Sequence, residues 1–368
     1  MLNHFKLYLK NFDWILLAAV ILLVSFGLLE IYSVALGQNS ADMLNFKKQL
    51  IFAIIGLAGL FIFTFTNSYF LKSLSKYFYF LGVIFLVVVL MIGHNIRGHQ
   101  GWIVLSGFTL QPVELVKIIL IFFLANFFAN LATKVKTTRH FIISAISVFF
   151  FIFLVLLQPD LGSAIILGMI WLIMVLAAGF NKKYFITIVL AVSLFFAASW
   201  FLMFKDYQKN RIINFLNPGA NSQESGYNIS QAMIAIGSGG LTGKGVSLGS
   251  QSQLKFLPEA HTDFIFSVIS EELGLVGVIL VISFYFIFFY RCWRILYQIN
   301  NDFGIYFIIG ASGLIFVQMF INIGMNLGIM PIVGLPLPFV SYGGSSLISL
   351  LILVGIIENI IIKSKISY

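Results

Sequence analysis

Long apolar runs separated by short polar breaks dominate this chain. Runs of bilayer-crossing length, roughly 17–25 residues, lie near 14–36, 46–66, 72–93, 112–131, 139–157, 160–179, 183–204, 264–290, 303–328 and 340–362. The pattern predicts an all-α integral membrane protein of ten transmembrane helices, one polytopic unit over 1–368, because in lipid a helix satisfies its own backbone. The run 14–36 is too long for the apolar part of a cleavable leader and lacks a small-residue cleavage site, so it reads as the first span.

An even number of spans puts both termini on one side, and the basic residues choose the cytoplasm. That side then receives Lys6, Lys10, Lys72, Lys76, Lys134, Lys136, Arg139, Lys182, Lys183, Arg291, Arg294, Lys363 and Lys365, against Lys47, Lys48, Arg97 and Lys117 in short outside segments. The segment 205–262, between spans seven and eight, becomes one long extracytoplasmic loop. Within it, Tyr227 to Ile236 suits a short helix at the membrane surface. The glycines from Gly237 to Gly249 favour unusual backbone angles and close approach.

Composition agrees: 60% of residues are apolar and 10% charged, with a mean hydropathy of +1.02, more apolar surface than one soluble core can hide. The net charge of +9 is scattered between spans, so it reports topology rather than nucleic-acid binding. The single cysteine, Cys292, excludes an internal disulfide framework.

Candidate chemistry gathers at span ends predicted to face outside. FLPEAHTDFIFSVISEELGLVG, residues 256–277, carries Asp263 into the mouth of the eighth span, preceded by Glu259, His261 and Thr262. A carboxylate there is costly to desolvate and marks function more often than decoration. Helix capping by Thr262 or Asp263 is the plainer account, yet a cap needs one such group rather than four. Glu271 and Glu272 follow about 12 and 13.5 Å deeper, where at most Glu271 shares a face with Asp263, and both either serve the site or face other helices in protonated form.

In QPVELVK, residues 111–117, Pro112 suits a first helical turn. Glu114 and Lys117 stand at i and i+3, either neutralising each other or serving a site. In QPDLGSA, residues 158–164, Asp160 either caps the sixth span or joins the site. MPIVGLPLPFVSYGGSS, residues 330–346, contains Ser341 and is irregular backbone that either forms a rigid turn or lines a polar cavity. Arg97 and His99 either bind an anionic group or snorkel. Glu30, Glu358, Asn322 and Asn326 read as interhelical hydrogen-bond partners.

Zinc spacings, a nucleophile elbow and a dinucleotide fingerprint are all missing, so no organic cofactor is expected. The glycine-rich run is no phosphate loop, because Ser238 and Gly245 stand where glycine and Ser or Thr are required. An outside carboxylate amid polar groups suits proton abstraction from a hydroxyl. Arg211, Lys244 and Lys255 can offset charge on an anionic leaving group.

QPVELVK, QPDLGSA, FLPEAHTDFIFSVISEELG and LPLPFVSYGGSS, in this order on ten spans, resemble the SEDS (shape, elongation, division, sporulation) family of bacterial cell-wall polymerases. The likeness runs from GLLEIYS at 27–33 to the last span. AIGSGGLTGKG, SQSQLKFLPE and MPIVGLPLPF are similar to the elongation branch, RodA, rather than the division paralogue FtsW. The resemblance implies a peptidoglycan glycosyltransferase in the bacterial cytoplasmic (inner) membrane that joins lipid II units into β-1,4 glycan strands. It implies as partners a class B penicillin-binding transpeptidase and other elongation-complex proteins. It places the essential acid at Asp263 and further sensitive positions at Glu114, Lys117 and Asp160.

On that reading Asp263 deprotonates the acceptor GlcNAc 4-hydroxyl while basic groups, with or without Mg2+ or Mn2+, neutralise departing undecaprenyl pyrophosphate. The chain departs from the family at Gly101, which precedes Trp102 where a basic residue is usual, leaving Arg97 as the nearest substitute. Two rivals remain, a lipid II flippase and a non-catalytic scaffold for the transpeptidase. A flippase needs polar groups through the full membrane thickness, whereas here they gather on the outer side.

Overall fold

The computed structural model describes residues 8–366 apart from 9, 37–39, 67–71, 97–98, 106–107, 132–136, 182, 185, 188–199, 202–208 and 210–224. The helices are α1 (Trp14–Leu36), α2 (Ser40–Phe65), α3 (Ser75–Ile92), α4 (Pro112–Ala129), α5 (Thr138–Leu157) and α6 (Leu161–Ala177). After them come α7 (Ser225–Gly239), α8 (Ser250–Gln253), α9 (Ile265–Leu296), α10 (Asp302–Asn326) and α11 (Gly344–Ile366). Among the described residues, eight helices are long and apolar enough to cross a membrane, and α6, at 17 residues, is a shorter apolar helix. The expected seventh span, 183–204, lies almost wholly outside the described residues.

Apolar side chains both fill the bundle and cover it. Leu16, Leu23, Leu120, Phe151, Ile170 and Phe307 are buried at its centre, whereas Ile54, Ile62, Phe80, Met91 and Phe286 face outward. An apolar exterior is what a lipid solvent selects. Helices α2 and α11 lie against each other where small residues permit it: a β-carbon on Gly56 would press on Leu351, and one on Gly355 would collide with the Leu60 carbonyl.

The all-helical expectation holds, with one small sheet beside the helices. Strands β1 (His94–Ile96), β2 (His99–Leu105) and β3 (Phe108–Leu110) form an antiparallel meander between α3 and α4, with Ile103 opposite Leu110 and Leu105 opposite Phe108. Two of its strands have only three residues, too few to imprint an alternation on the sequence. The meander is docked on the chain just before α6, where Gln100 N donates to Gln158 O at 3.3 Å.

A correction concerns α9, which breaks at Gly274 (φ 64°). The part after the break, 275–296, is itself long enough, roughly 33 Å, to cross the hydrocarbon core. Asp263 therefore precedes a short helix, 265–273, rather than the span proper. The break frees two carbonyls and two amides, and the glycine-rich loop takes all four. Lys244 N and Gly245 N donate to Glu271 O and Glu272 O at 3.0 and 2.9 Å, while Leu275 N and Val276 N donate to Gly240 O and Leu241 O at 3.0 and 3.2 Å. Gly243 (φ 77°) has no room for a β-carbon, which would collide with the Glu272 carbonyl. The glycines thus splint a broken helix, as close backbone approach requires.

The predicted helix at Tyr227–Ile236 is the centre of α7. It packs on the bundle rather than lying on a lipid surface alone: Ile229 and Ala232 are buried with Leu257, Ala260, Phe264, Val268, Met325 and Ile332.

Candidate active site

The ends of α4, α6, α9, α10 and α11 meet at one end of the bundle, and the irregular segment 330–343 runs through the junction. Asp263 lies half-buried there. Its backbone carbonyl accepts from Asn322 Nδ2 and Asn326 Nδ2, each at 3.0 Å. Both asparagines are fully buried on α10. Asn322 also donates to Leu335 O at 2.7 Å, and Asn326 Oδ1 accepts from Ser267 Oγ at 2.6 Å. The pair ties Asp263, α9 and the proline-rich segment into one unit.

The residues before Asp263 are held from the other side. Ser341 Oγ donates to Thr262 O at 2.6 Å and accepts from Leu337 N at 2.8 Å, and Tyr342 N donates to His261 O at 2.8 Å. Gln49 closes the turn, donating to Ser341 O at 3.2 Å and accepting from Gly343 N at 3.1 Å. The His261 and Tyr342 rings meet edge to face at 5.4 Å. Burial raises the pKa of the Tyr342 phenol above its ordinary value, so it stays neutral. Thr262 Oγ1 lies 3.1 Å from Glu259 Oε2, its acceptor within the turn.

Phe264 occupies the N-cap of α9 and supplies no side-chain cap, and the Thr262 hydroxyl is turned back onto Glu259. Next to the carboxylate stands Gly334 (φ 74°), where a β-carbon would lie 3.5 Å from Asp263 Oδ2. That is ordinary van der Waals contact with the acid, so the glycine lies directly against it.

Asp160 serves as the cap that the sequence allowed and makes one further contact. Its Oδ1 caps α6, accepting from Ser163 N at 2.9 Å, and its Oδ2 accepts from Gln111 Nε2 at 3.3 Å. Gln111 N in turn donates to Ser345 Oγ at 3.0 Å, at the start of α11. The first turn of α6 also touches the proline-rich segment, because a β-carbon on Gly162 would lie 2.9 Å from Leu335 Cδ2 and 3.2 Å from Val333 O. Asp160 and Asp263 thus flank the same stretch, Val333–Leu335. One turn below Gln111, Lys117 Nζ and Glu114 Oε1 form a buried ion pair at 2.7 Å.

The basic residues separate. Lys244 does not stand beside Asp263: it pairs with Glu271 at 2.8 Å. Glu271 further accepts from the backbone of Gln251 and Ser252, while Glu272 accepts from Ser33 Oγ and Ser247 N. Both glutamates therefore clamp the loop to α9. Lys255 is exposed, in the left-handed region at φ 62°, and has no ion pair or hydrogen bond among the described residues. Arg211 and Arg97 lie outside the described residues. Gly101 is buried on β2, where its β-carbon would lie 3.5 Å from Gln158 Oε1.

Asn322, Asn326, Gln111 and Gln49 are the supporting residues that sequence reasoning missed or undervalued. The available signal was amide side chains inside or at the mouth of apolar spans.

Comparison with known proteins identifies the family. The model for the FtsW, RodA and SpoVE proteins, described as cell cycle proteins, matches residues 13–366. Peptidoglycan glycosyltransferase MrdB of Escherichia coli is 40% identical over 286 residues, which is 78% of this chain and 77% of MrdB. A probable peptidoglycan glycosyltransferase FtsW of Trichlorobacter lovleyi is 37% identical over 359 residues, 96% of this chain and 93% of that protein. A solved chain from work on the structural coordination of polymerization and crosslinking by a peptidoglycan synthase complex superposes with a TM-score of 0.80 at 28% identity, covering 97% of this chain and 98% of that one. The rod shape determining protein RodA of Thermus thermophilus superposes at 0.72 with 26% identity, covering 95% and 96%. The chain belongs to the FtsW, RodA and SpoVE family and is a multi-pass membrane protein.

Proposed function

We propose that this protein is a peptidoglycan glycosyltransferase that polymerises lipid II at the outer face of the bacterial cytoplasmic membrane. The observation that carries the reading is Asp263, an acid just before α9 whose backbone is fixed from α10 and from the Ser341 turn. A general base is effective only when its geometry is preset. The names of the MrdB and FtsW relatives support the reaction class.

In the proposed step, Asp263 accepts the proton of the acceptor sugar's 4-hydroxyl as its oxygen attacks the donor's anomeric carbon. The bond from that carbon to pyrophosphate breaks, and inversion converts the α-linked donor into a β-1,4 product. Lys255 is an exposed cation in the same loop, without an ion pair or hydrogen bond among the described residues, and suits the departing charge. A divalent cation, Mg2+ or Mn2+, fits as an ion shared with substrate phosphate. The described residues assemble no group of three or more His, Cys, Asp or Glu, and Mg2+ commonly takes one or two carboxylates plus phosphate oxygens. Asp160 or Asp263 would supply the protein oxygen.

A class B penicillin-binding transpeptidase is the proposed partner, supported by the likeness to a chain of a synthase complex that coordinates polymerization and crosslinking. The elongation branch is favoured by the MrdB identity. The division branch is the second reading, because the Trichlorobacter FtsW matches more of the chain. Purified protein with each type of transpeptidase, given lipid II and moenomycin to silence contaminating polymerases, tests both points. Glycan ladders support the reaction, and the transpeptidase that stimulates them names the branch. Lipid II translocation in vesicles without ladders favours the flippase.

A further inference from the structure

The opposite end of the bundle carries a basic cavity that the polymerase reading does not use. It measures about 230 Å³ and is lined by Asp13, Arg291, Arg294, Ile295, Gln298 and Lys365. Three chain segments build it: the residue before α1, the last turns of α9 and the last turn of α11. Arg291 Nε donates to Asp13 Oδ2 at 2.8 Å, so that pair is internally neutral. Lys365 Nζ donates to the neutral Asn11 carbonyl at 2.8 Å, and Glu358 acts on its charge electrostatically without a direct ion pair among the described residues. Arg294 is exposed, and neither its guanidinium nor the Gln298 amide has a hydrogen bond or ion pair among the described residues.

Three cations thus face one carboxylate on the wall and a second, Glu358, buried behind it and accepting from Asp13 N at 3.1 Å. The cavity keeps a net positive charge. Basic residues at an inner helix end are common for topological reasons alone, and cations at helix C-termini also offset the macrodipole. Neither reason calls for a walled cavity with an uncommitted guanidinium and amide turned into it.

Depth identifies the occupant. Trp14, Tyr290, Trp293 and Tyr297 are all exposed around this end, and the Trp293 and Tyr297 rings meet at 5.8 Å. Exposed tryptophan and tyrosine at span ends mark headgroup level. The volume is below the ~300–1,000 Å³ of ordinary small-molecule pockets, so the cavity takes a phosphate and its immediate substituent rather than a sugar chain. We propose that this cavity binds the headgroup phosphate of an anionic phospholipid of the adjacent leaflet, with Arg294, Lys365 and Gln298 as donors. Basic pockets between membrane helices recognise such headgroups.

Native mass spectrometry of the detergent-solubilised full chain tests this, using phosphatidylglycerol, phosphatidylcholine and inorganic phosphate as probes. The wild type is expected to retain phosphatidylglycerol at least tenfold better than phosphatidylcholine. Arg294→Gln with Lys365→Gln is expected to bring retention down to the phosphatidylcholine level. Lys72→Gln with Lys76→Gln, which removes two cations elsewhere, is expected to leave retention unchanged, and thermal unfolding of each variant reports folding. Equal retention by the wild type and a folded double variant at Arg294 and Lys365 would overturn the assignment. So would loss of phosphatidylglycerol on adding millimolar inorganic phosphate that itself stays bound, which would mark a free-anion site instead.

Discussion

Asn326 holds Asp263 by its backbone: the asparagine amide donates to the Asp263 carbonyl at 3.0 Å across 63 residues of sequence. Asn322, one turn earlier on α10, donates to the same carbonyl at 3.0 Å, which fills both lone pairs of that oxygen. The acid that the proposed reaction depends on is thus positioned by two side chains that contact its main chain.

Asn322→Leu and Asn326→Leu each leave a buried acceptor short of a donor, at a cost of about 1–3 kcal/mol. Displacing the acid by a fraction of an ångström should lower kcat roughly 10–100-fold, with KM for lipid II changing less. Steady-state polymerisation beside thermal unfolding checks this. A loss of stability without a fall in kcat in the folded fraction would make the asparagines purely structural.

Glu114 and Lys117 are both buried at a 2.7 Å separation. Removing one partner strands the other charge, so Glu114→Gln or Lys117→Met should destabilise by about 3–5 kcal/mol. The double substitution should recover most of that stability. If the pair serves the reaction, as the family resemblance implies, the double variant stays inactive; full activity would show a pair that only neutralises itself.

The splint across the α9 break distinguishes two neighbouring glycines. Gly240 (φ 54°) has open space around its β position, so Gly240→Ala should cost only the left-handed penalty, about 1–2 kcal/mol. Gly243→Ala meets the Glu272 carbonyl and should cost clearly more, lowering the unfolding temperature further than Gly240→Ala. Equal effects would show that the loop does not need this close approach.

The spans that fall among the described residues were legible because lipid demands uninterrupted apolar helices, and Pro112 marked the start of α4 as its fixed φ favours. Asp263, Asp160 and the Glu114–Lys117 pair stood out as charge at helix mouths. The break at Gly274 was not legible, since a lone glycine in a 32-residue apolar helix leaves the period intact and its stabilising partners lie about 30 residues earlier. Lys244 read as a free cation for the same reason: its partner Glu271 is 27 residues away. The role of Asn322 and Asn326 escaped because a backbone carbonyl has no sequence signature.

The most direct measurement is glycan-ladder formation from lipid II by purified protein with its transpeptidase, comparing wild type with Asp263→Asn in the presence of moenomycin. Removing a general base should cut the rate by about 10²–10⁴-fold, so the account predicts no ladders from a variant that still unfolds at the wild-type temperature and still binds its partner. Ladders at near wild-type rate from that folded variant would contradict the assignment of Asp263 as the base.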